Sequence, residues 1–291
     1  EWLIYLAGFA TVVVVWQVLQ TRLDFSWLGA VFEGHEVTLT EVVAVVMGAG
    51  LFVWFGFFLF SGISAIERGR MIVLMVLIVI SALFWGLYEQ SYGPWVAFAE
   101  RVMDRSFLGF VWSSGQTTFF GAACVIAFSP FFAWLWPRLD KAGMNPSLPA
   151  KFGWALVLVG AAMGVLQWST ASADGGALIG MGWLIAAYAV MVAGEMLLSP
   201  IGLSAVTTLS VPRVVGLMMG AWFLFSAFGE MIAGRFGTWA SIAPEADGSF
   251  DVPKALTTYG EFFGQMMWIG IAAGVFMLLL SPVLNRLTRP R

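Results

Sequence analysis

Long apolar runs alternate with short polar breaks along this chain. A run of about 20 mostly apolar residues is long enough to cross a bilayer as a helix. Eight runs qualify: 2–19, 42–66, 71–90, 106–136, 152–170, 178–209, 214–241 and 260–284. Each is expected to be helical, because lipid offers no partner to backbone N–H and C=O groups and a helix satisfies them within the segment. The stretches 20–41, 91–105, 137–151 and 242–259 read as loops. Glycines four apart, Gly160/Gly164, Gly216/Gly220 and Gly270/Gly274, predict close helix–helix approach. With no low-complexity run and no soluble domain in the pattern, the chain reads as one helical bundle with accessory helices.

Composition sharpens this reading. Hydrophobic residues make up 60% of the chain and charged residues only 11%, where soluble domains carry about a quarter charged. Mean hydropathy is +0.89. So few charges cannot cover a water-facing surface, and the chain is expected to be a polytopic membrane protein embedded in a lipid bilayer. A net charge of −3 gives no reason to expect a nucleic-acid partner. Cys124 is the lone cysteine and His35 the lone histidine. An intrachain disulfide and a Cys or His metal cluster are therefore excluded, and no cofactor is expected. The first residue is Glu1, with no basic segment ahead of an apolar one, so no signal peptide is read and the sequence looks like a piece of a longer one.

Charge in the loops orients the spans. An even number of spans leaves both ends on one side. That side carries Arg68, Arg70, Arg138, Lys141, Lys151, Arg213, Arg286, Arg289 and Arg291. The other carries Arg22, Arg101, Arg105 and Lys254, with the acids Glu245, Asp247 and Asp251. The positive-inside rule puts both ends in the cytoplasm.

Candidate chemistry lies in the few ionisable groups within the spans. A carboxylate there costs about 2.5–3.5 kcal/mol on insertion scales, so function or pairing is expected. Glu89 ends the stretch "FWGLYEQ" (84–90), and Trp85, four residues earlier, shares its face. An interfacial tryptophan beside a snorkelling acid is the alternative there. Glu195 sits deep in "GEMLLSPIGLS" (194–204), with Ser199 on the same face. Pro200 deprives the Met196 carbonyl of its helical partner, so a kink and a free carbonyl are expected near a buried acid, as in the broken helices that bind solutes in transporters. A simple proline kink with a satisfied acid is the alternative. Glu230 and Arg235 are five apart, a poor spacing for a pair on one helix, and are expected to meet partners elsewhere in a structural or gating ion pair. Met218 and Trp222 share a face of "MMGAWFL" (218–224), which by itself reads as packing.

Four stretches in order, "FWGLYEQ" (84–90), "FSPFFAWLW" (128–136), "GEMLLSPIGLSAVTTL" (194–209) and "GLMMGAWFL" (216–224), resemble the C-terminal half of the proton-dependent oligopeptide transporters, the POT or PTR family of the major facilitator superfamily. The resemblance implies an all-α membrane fold: a C-terminal six-helix bundle (67–291, core helices seven to twelve) and a two-helix hairpin (1–66) inserted between bundles. The N-terminal six-helix bundle, with its "ExxER" motif, is not in this chain. The hairpin spans hold no embedded charge and read as a spacer. The resemblance also implies roles. Glu89 is similar to the seventh-helix acid linked to proton coupling. Glu195 resembles the acid that receives the peptide amino terminus, Ser199 lines that pocket, and Trp85 and Trp222 look like its aromatic walls. One position departs: Gly121 stands where the family usually has asparagine, and Gln116 is a neighbour that could supply the lost polar contact.

The implied activity is proton-coupled symport of di- and tripeptides by alternating access across the cytoplasmic membrane, with the proton as coupling ion. A different small solute on the same fold, such as nitrate or an amino-acid derivative, is the alternative. An enzyme is not expected, since neither a carboxylate dyad at recognisable spacing nor a Ser/His motif occurs. A peptide's cationic end suits a buried glutamate. Its anionic end needs a base that the inner segments here lack, apart from Arg235 near a helix end, so that partner is expected in the missing bundle.

Overall fold

The computed structural model describes residues 2–23, 37–173, 178–243 and 250–288. His35, Glu245, Asp247, Arg289 and Arg291 lie outside the described residues. The chain divides into two compact units, Glu1–Gly62 and Ile63–Arg291.

The first unit holds α1 (Trp2–Gln20) and α2 (Leu39–Leu59), with Arg22–Leu23 paired antiparallel to Val37–Thr38. A capping box starts α2: Glu41 N–H donates to the Thr38 hydroxyl at 3.2 Å, and Thr38 N–H donates to the Glu41 carboxylate at 2.7 Å. Val12, Val14 and Trp16 of α1 and Val45, Val46 and Phe57 of α2 are exposed, as lipid-facing positions are.

The second unit carries six spans. The helices are α3 (Ala65–Tyr88), α4 (Pro94–Val102), α5 (Phe119–Lys141), α6 (Leu148–Ala171), α7 (Met181–Leu209), α8 (Val215–Thr238) and α9 (Val252–Leu287). Through a 3-10 turn, α3 and α4 join into one stretch, Ala65–Val102. Among the described residues, seven helical stretches are long and apolar enough to cross a membrane: Leu39–Leu59 and six in this unit. The remaining predicted run, 2–19, is helical as α1, and its side chains at 3–8 and 18–20 are outside the described ones.

Three pairs lead the packing: α6 with α9, α6 with α7, and α3 with α8. Glycine permits the close approach in the first and the third. A methyl on Gly160 would stand 2.8 Å from Ile271 N, and one on Gly270 would stand 2.7 Å from Gly160 Cα. A methyl on Gly229 of α8 would stand 2.5 Å from Trp85 Cβ of α3. The third predicted glycine pair behaves differently: Gly216 and Gly220 face open space. The best-buried apolar stripe is on α3, where Met71, Leu74, Leu77 and Ile78 are wholly enclosed.

Three expected loops are shorter than their sequence implied. Residues 94–102 are the helix α4, which restarts at Pro94 because proline is pre-organised for a first helical turn. Pro137 does not end α5. The helix runs to Lys141 and stops where Gly143 turns to φ 67°, with Gly143 N–H donating to Asp140 O at 3.0 Å and Met144 N–H to Leu139 O at 2.9 Å, a Schellman arrangement. Helix α9 begins at Val252, capped by Asp251, whose carboxylate accepts from Lys254 N–H at 3.2 Å. Conversely, 106–114 is not helical: short strands at Ser106–Phe107 and Phe110–Val111 form a hairpin before the 3-10 turn Gly115–Thr118 leads into α5.

Candidate functional site

Helix α3 ends at Tyr88. The chain then tightens into a 3-10 turn, Glu89–Tyr92, and reopens as α4. A 3-10 interruption within a longer helical stretch often marks a hinge. This turn parts two cavities, because its residues point to different sides.

The first cavity, about 800 Å³, is lined by Tyr88, Tyr92, Trp112, Gln116, Phe119 and Glu195 among others. Glu195 reaches it from the middle of α7. The Tyr88 hydroxyl donates to Glu195 Oε2 at 2.8 Å, so the partly buried acid has a hydrogen-bond partner from another helix, as a polar group at this depth requires. Gln116 arrives by a local device: its Oε1 accepts from Ser113 N–H at 2.9 Å and its own N–H donates to Ser113 Oγ at 3.3 Å. That reciprocal cap fixes the 3-10 turn at the head of α5 and leaves the amide nitrogen as a donor. One acid, one amide and several aromatic faces make a surface able to hold a small organic cation.

The second cavity, about 560 Å³, is lined by Glu89, Gln90, Arg101 and Glu230, with Gly93, Ala97, Ala233, Gly234 and Gly237 filling the walls between them. Gln90 is buried. Its Nε2 donates to Gly86 O at 2.8 Å and to Ala233 O at 3.1 Å, which pins the turn to α8. Its Oε1 is buried with no protein partner. A buried acceptor beside a polar cavity is where ordered water is found. Arg101 donates to the Tyr259 hydroxyl at 2.9 Å and lies 4.4 Å over the Phe250 ring. Glu230 therefore faces this cavity from α8, and exposed Arg235 is not among its lining side chains.

The expected site residues separate accordingly. Glu195 and Gln116 share the first cavity, and Glu89 faces the second. Trp85 lines neither. It packs edge-on against Phe84 and Tyr88, at 5.5 and 5.4 Å between ring centroids, with its Nε1 buried and unpartnered. Trp222 is buried against Gly202, where an added methyl would run into its ring, and meets Phe152 edge-on at 6.3 Å. Ser199 is half-buried on α7 and also lines neither cavity, and α7 runs as a single helix through Pro200 rather than breaking there. Gly121 is covered: a methyl there would stand 3.2 Å from Tyr188 Cδ1. Tyr188 in turn donates to Ser91 O at 3.2 Å and packs edge-on to Trp95 at 5.0 Å. Tyr88, Tyr92, Trp112, Tyr188 and Gln90 were not singled out by sequence. The only signal was Tyr88 and Tyr92 flanking the acid at a four-residue spacing.

These features define a multi-pass membrane protein of helical-bundle type with a polar cavity on either side of the 3-10 turn that follows α3. Comparison with known proteins agrees and is more specific. The sequence profile of the POT family matches residues 39–251. A peptide transporter, YePEPT, from Yersinia enterocolitica is 32% identical over 210 residues, covering 70% of this chain and 40% of that one. Dipeptide and tripeptide permease A from Cronobacter turicensis is 31% identical over 258 residues, covering 88% of this chain and 50% of the permease. The chain belongs to the POT family. That family consists of transporters rather than enzymes.

Solved structures give the same fold. A crystal structure of a peptide transporter POT variant in complex with alafosfalin superposes with a TM-score of 0.72 at 24% identity, over 98% of this chain and 52% of that one. A POT family transporter in complex with 5-aminolevulinic acid gives a TM-score of 0.71 at 22% identity, over 97% of this chain and 53% of that one. The fold is all-α, a major facilitator six-helix bundle with a two-helix hairpin. The chain spans about half the length of the curated relatives it matches.

Proposed function

We propose that the full-length protein is a proton-coupled symporter of di- and tripeptides that works by alternating access. This chain would supply one half of the binding cavity, and an N-terminal six-helix bundle the other. Residues 67–291 would form the C-terminal bundle and residues 1–66 the hairpin inserted between the two. In this reading Glu195 receives the peptide ammonium. The observation that carries it is the Tyr88–Glu195 hydrogen bond in an aromatic-lined cavity, and the names of the permease relatives support it. Gln116 offers N–H donors to the peptide backbone where Gly121 offers none. Arg101 is engaged by Tyr259 and Phe250, and the base for the peptide carboxylate would come from the other bundle.

Glu89 is the proposed proton-loading group. It sits on the 3-10 turn between α3 and α4 and shares its cavity with Glu230, so proton uptake and release there can be tied to movement of that turn. The proton is the coupling ion and no other cofactor is invoked. The loop charges support a cytoplasmic-membrane protein with both ends of this chain inside. Of the remaining residues assigned by resemblance, Ser199, Trp85 and Trp222 would act through the packing of α3, α7 and α8 around the cavity.

The test uses full-length protein in proteoliposomes with an inward proton gradient. Labelled dialanine should accumulate, and a protonophore should abolish the accumulation. Folded protein without gradient-dependent uptake would contradict the proposal. It would favour a second reading, a different small solute on the same fold. The cover of Tyr188 over Gly121 supports that alternative, as does the family member solved with 5-aminolevulinic acid.

A further inference from the structure

The two cavities share one short piece of backbone. Tyr88 and Tyr92 line the Glu195 cavity, while Glu89 and Gln90, between them in sequence, line the other. This turn and the α3 residue just before it are each fastened to α7. The Tyr88 hydroxyl donates to Glu195 Oε2 at 2.8 Å, and the Tyr188 hydroxyl donates to Ser91 O at 3.2 Å. Tyr188 and Glu195 are seven residues apart, two turns along one face of α7. The turn is fastened to α8 by Gln90, through Ala233 O.

We propose that Tyr88 and Tyr188 are positioning residues for coupled transport. They tether the 3-10 turn Glu89–Tyr92 to the substrate acid, so that what happens at Glu195 moves the carboxyl group of Glu89. The inference rests on the reading of Glu195 as the amine site and Glu89 as the proton site.

The physical argument is one of shared partners. A carboxylate holding an ammonium must redistribute its lone pairs, and a hydroxyl donating to it must adjust or leave. Tyr88 is buried, with its ring packed against Phe84 and Trp85. It therefore passes its displacement to its own backbone, one residue before Glu89. The turn lacks the continuous ladder of an α-helix and is the least regular part of the Ala65–Val102 stretch, so it is where that displacement would be absorbed. Coupling of this kind is reciprocal: the protonation state of Glu89 must change the affinity at Glu195 by the same factor.

The groups facing Glu89 must be separated from this effect. Glu230 on α8 and Arg101 on α4 share its cavity, while Tyr92 of the same turn and Glu195 of α7 lie on the turn's other side. A purely through-space influence of the Glu195 charge on Glu89 would not need the tyrosines. That difference is measurable.

Infrared difference spectra of the full-length protein in lipid bilayers, recorded across a pH titration, would report the carboxyl band of Glu89, assigned by its loss in Glu89→Gln. Four proteins are compared: wild type, Glu195→Gln, Tyr88→Phe and the double variant. We expect Glu195→Gln to move the Glu89 midpoint by about one pH unit, equivalent to tenfold coupling, and to move it little when Tyr88 is already phenylalanine. A full shift from Glu195→Gln in the Tyr88→Phe background would overturn the proposal, as would the absence of a shift in either background. Tyr88→Phe keeps the ring contacts. If that variant fails to fold, Tyr188→Phe removes the other tether and must weaken the same shift, and an undiminished shift there would also overturn it. Because the readout is a carboxyl titration, it stands apart from peptide uptake. Lack of gradient-driven uptake in wild type would sink the symport reading while leaving this result intact.

Discussion

The two cavities flanking the end of α3 differ in what surrounds their acids. Around Glu195 stand aromatic rings, an amide and a tyrosine hydroxyl already bonded to the carboxylate. Around Glu89 stand glycines and alanines, a second acid, an arginine held elsewhere and a buried amide oxygen with no protein partner. Aromatic faces bind organic cations and their side chains. Small residues around several acceptors suit ordered water rather than an apolar ligand group. The contrast teaches that two carboxylates within one apolar bundle can be given separate tasks by their walls alone, which is the basis for assigning peptide to one and proton to the other.

The contrast can be broken most decisively at Glu89. Glu89→Gln in the full-length protein is expected to abolish gradient-driven accumulation of dialanine while counterflow exchange continues, with both measured in the same proteoliposomes. Accumulation at the wild-type level would remove the small-residue cavity from proton coupling. Next in size is Trp222, 3% exposed and seated on Gly202. Trp222→Ala is expected to cost about 3–5 kcal/mol of stability, read as a large fall in melting temperature in detergent. Unchanged stability with weakened peptide affinity would make Trp222 a cavity wall after all. Smaller again is Gly121→Asn, which drives a side chain into the Tyr188 ring and is expected to cost about 1–3 kcal/mol without tightening dialanine binding. A stable variant with tighter binding would show that Tyr188 gives way and that asparagine can reach the substrate.

Much of the bundle was legible in the sequence, because length and apolarity alone determine which segments cross a bilayer. Boundaries were less so. Pro94 and Pro137 both fell in stretches read as loops, yet one starts a helix and the other sits inside one, since the stop of α5 is the left-handed Gly143. Asp251 before Pro253 was a readable helix start that was passed over as loop. At the site, Glu89 and Glu195 stood out because an acid in an apolar run is costly. Tyr88, Tyr188 and Trp112 did not, because an aromatic residue in an apolar run is ordinary and only its neighbour across the bundle gives it a role. The same holds for Trp222: the sequence could pair it with Met218 on one face, but Gly202, which makes room for its ring, lies on another helix.

The most direct test of the account is the selectivity of the Glu195 cavity for a free amino terminus. Competition of dialanine and its N-acetylated form against labelled peptide would be measured in the full-length wild type and in Glu195→Ala. A charge-assisted hydrogen bond to the ammonium is worth about 1.5–3 kcal/mol, roughly a tenfold to hundredfold preference. The account predicts that wild type shows this preference and that Glu195→Ala loses it by weakening only the free peptide. Equal weakening of both forms, or a preference that survives in Glu195→Ala, would contradict it.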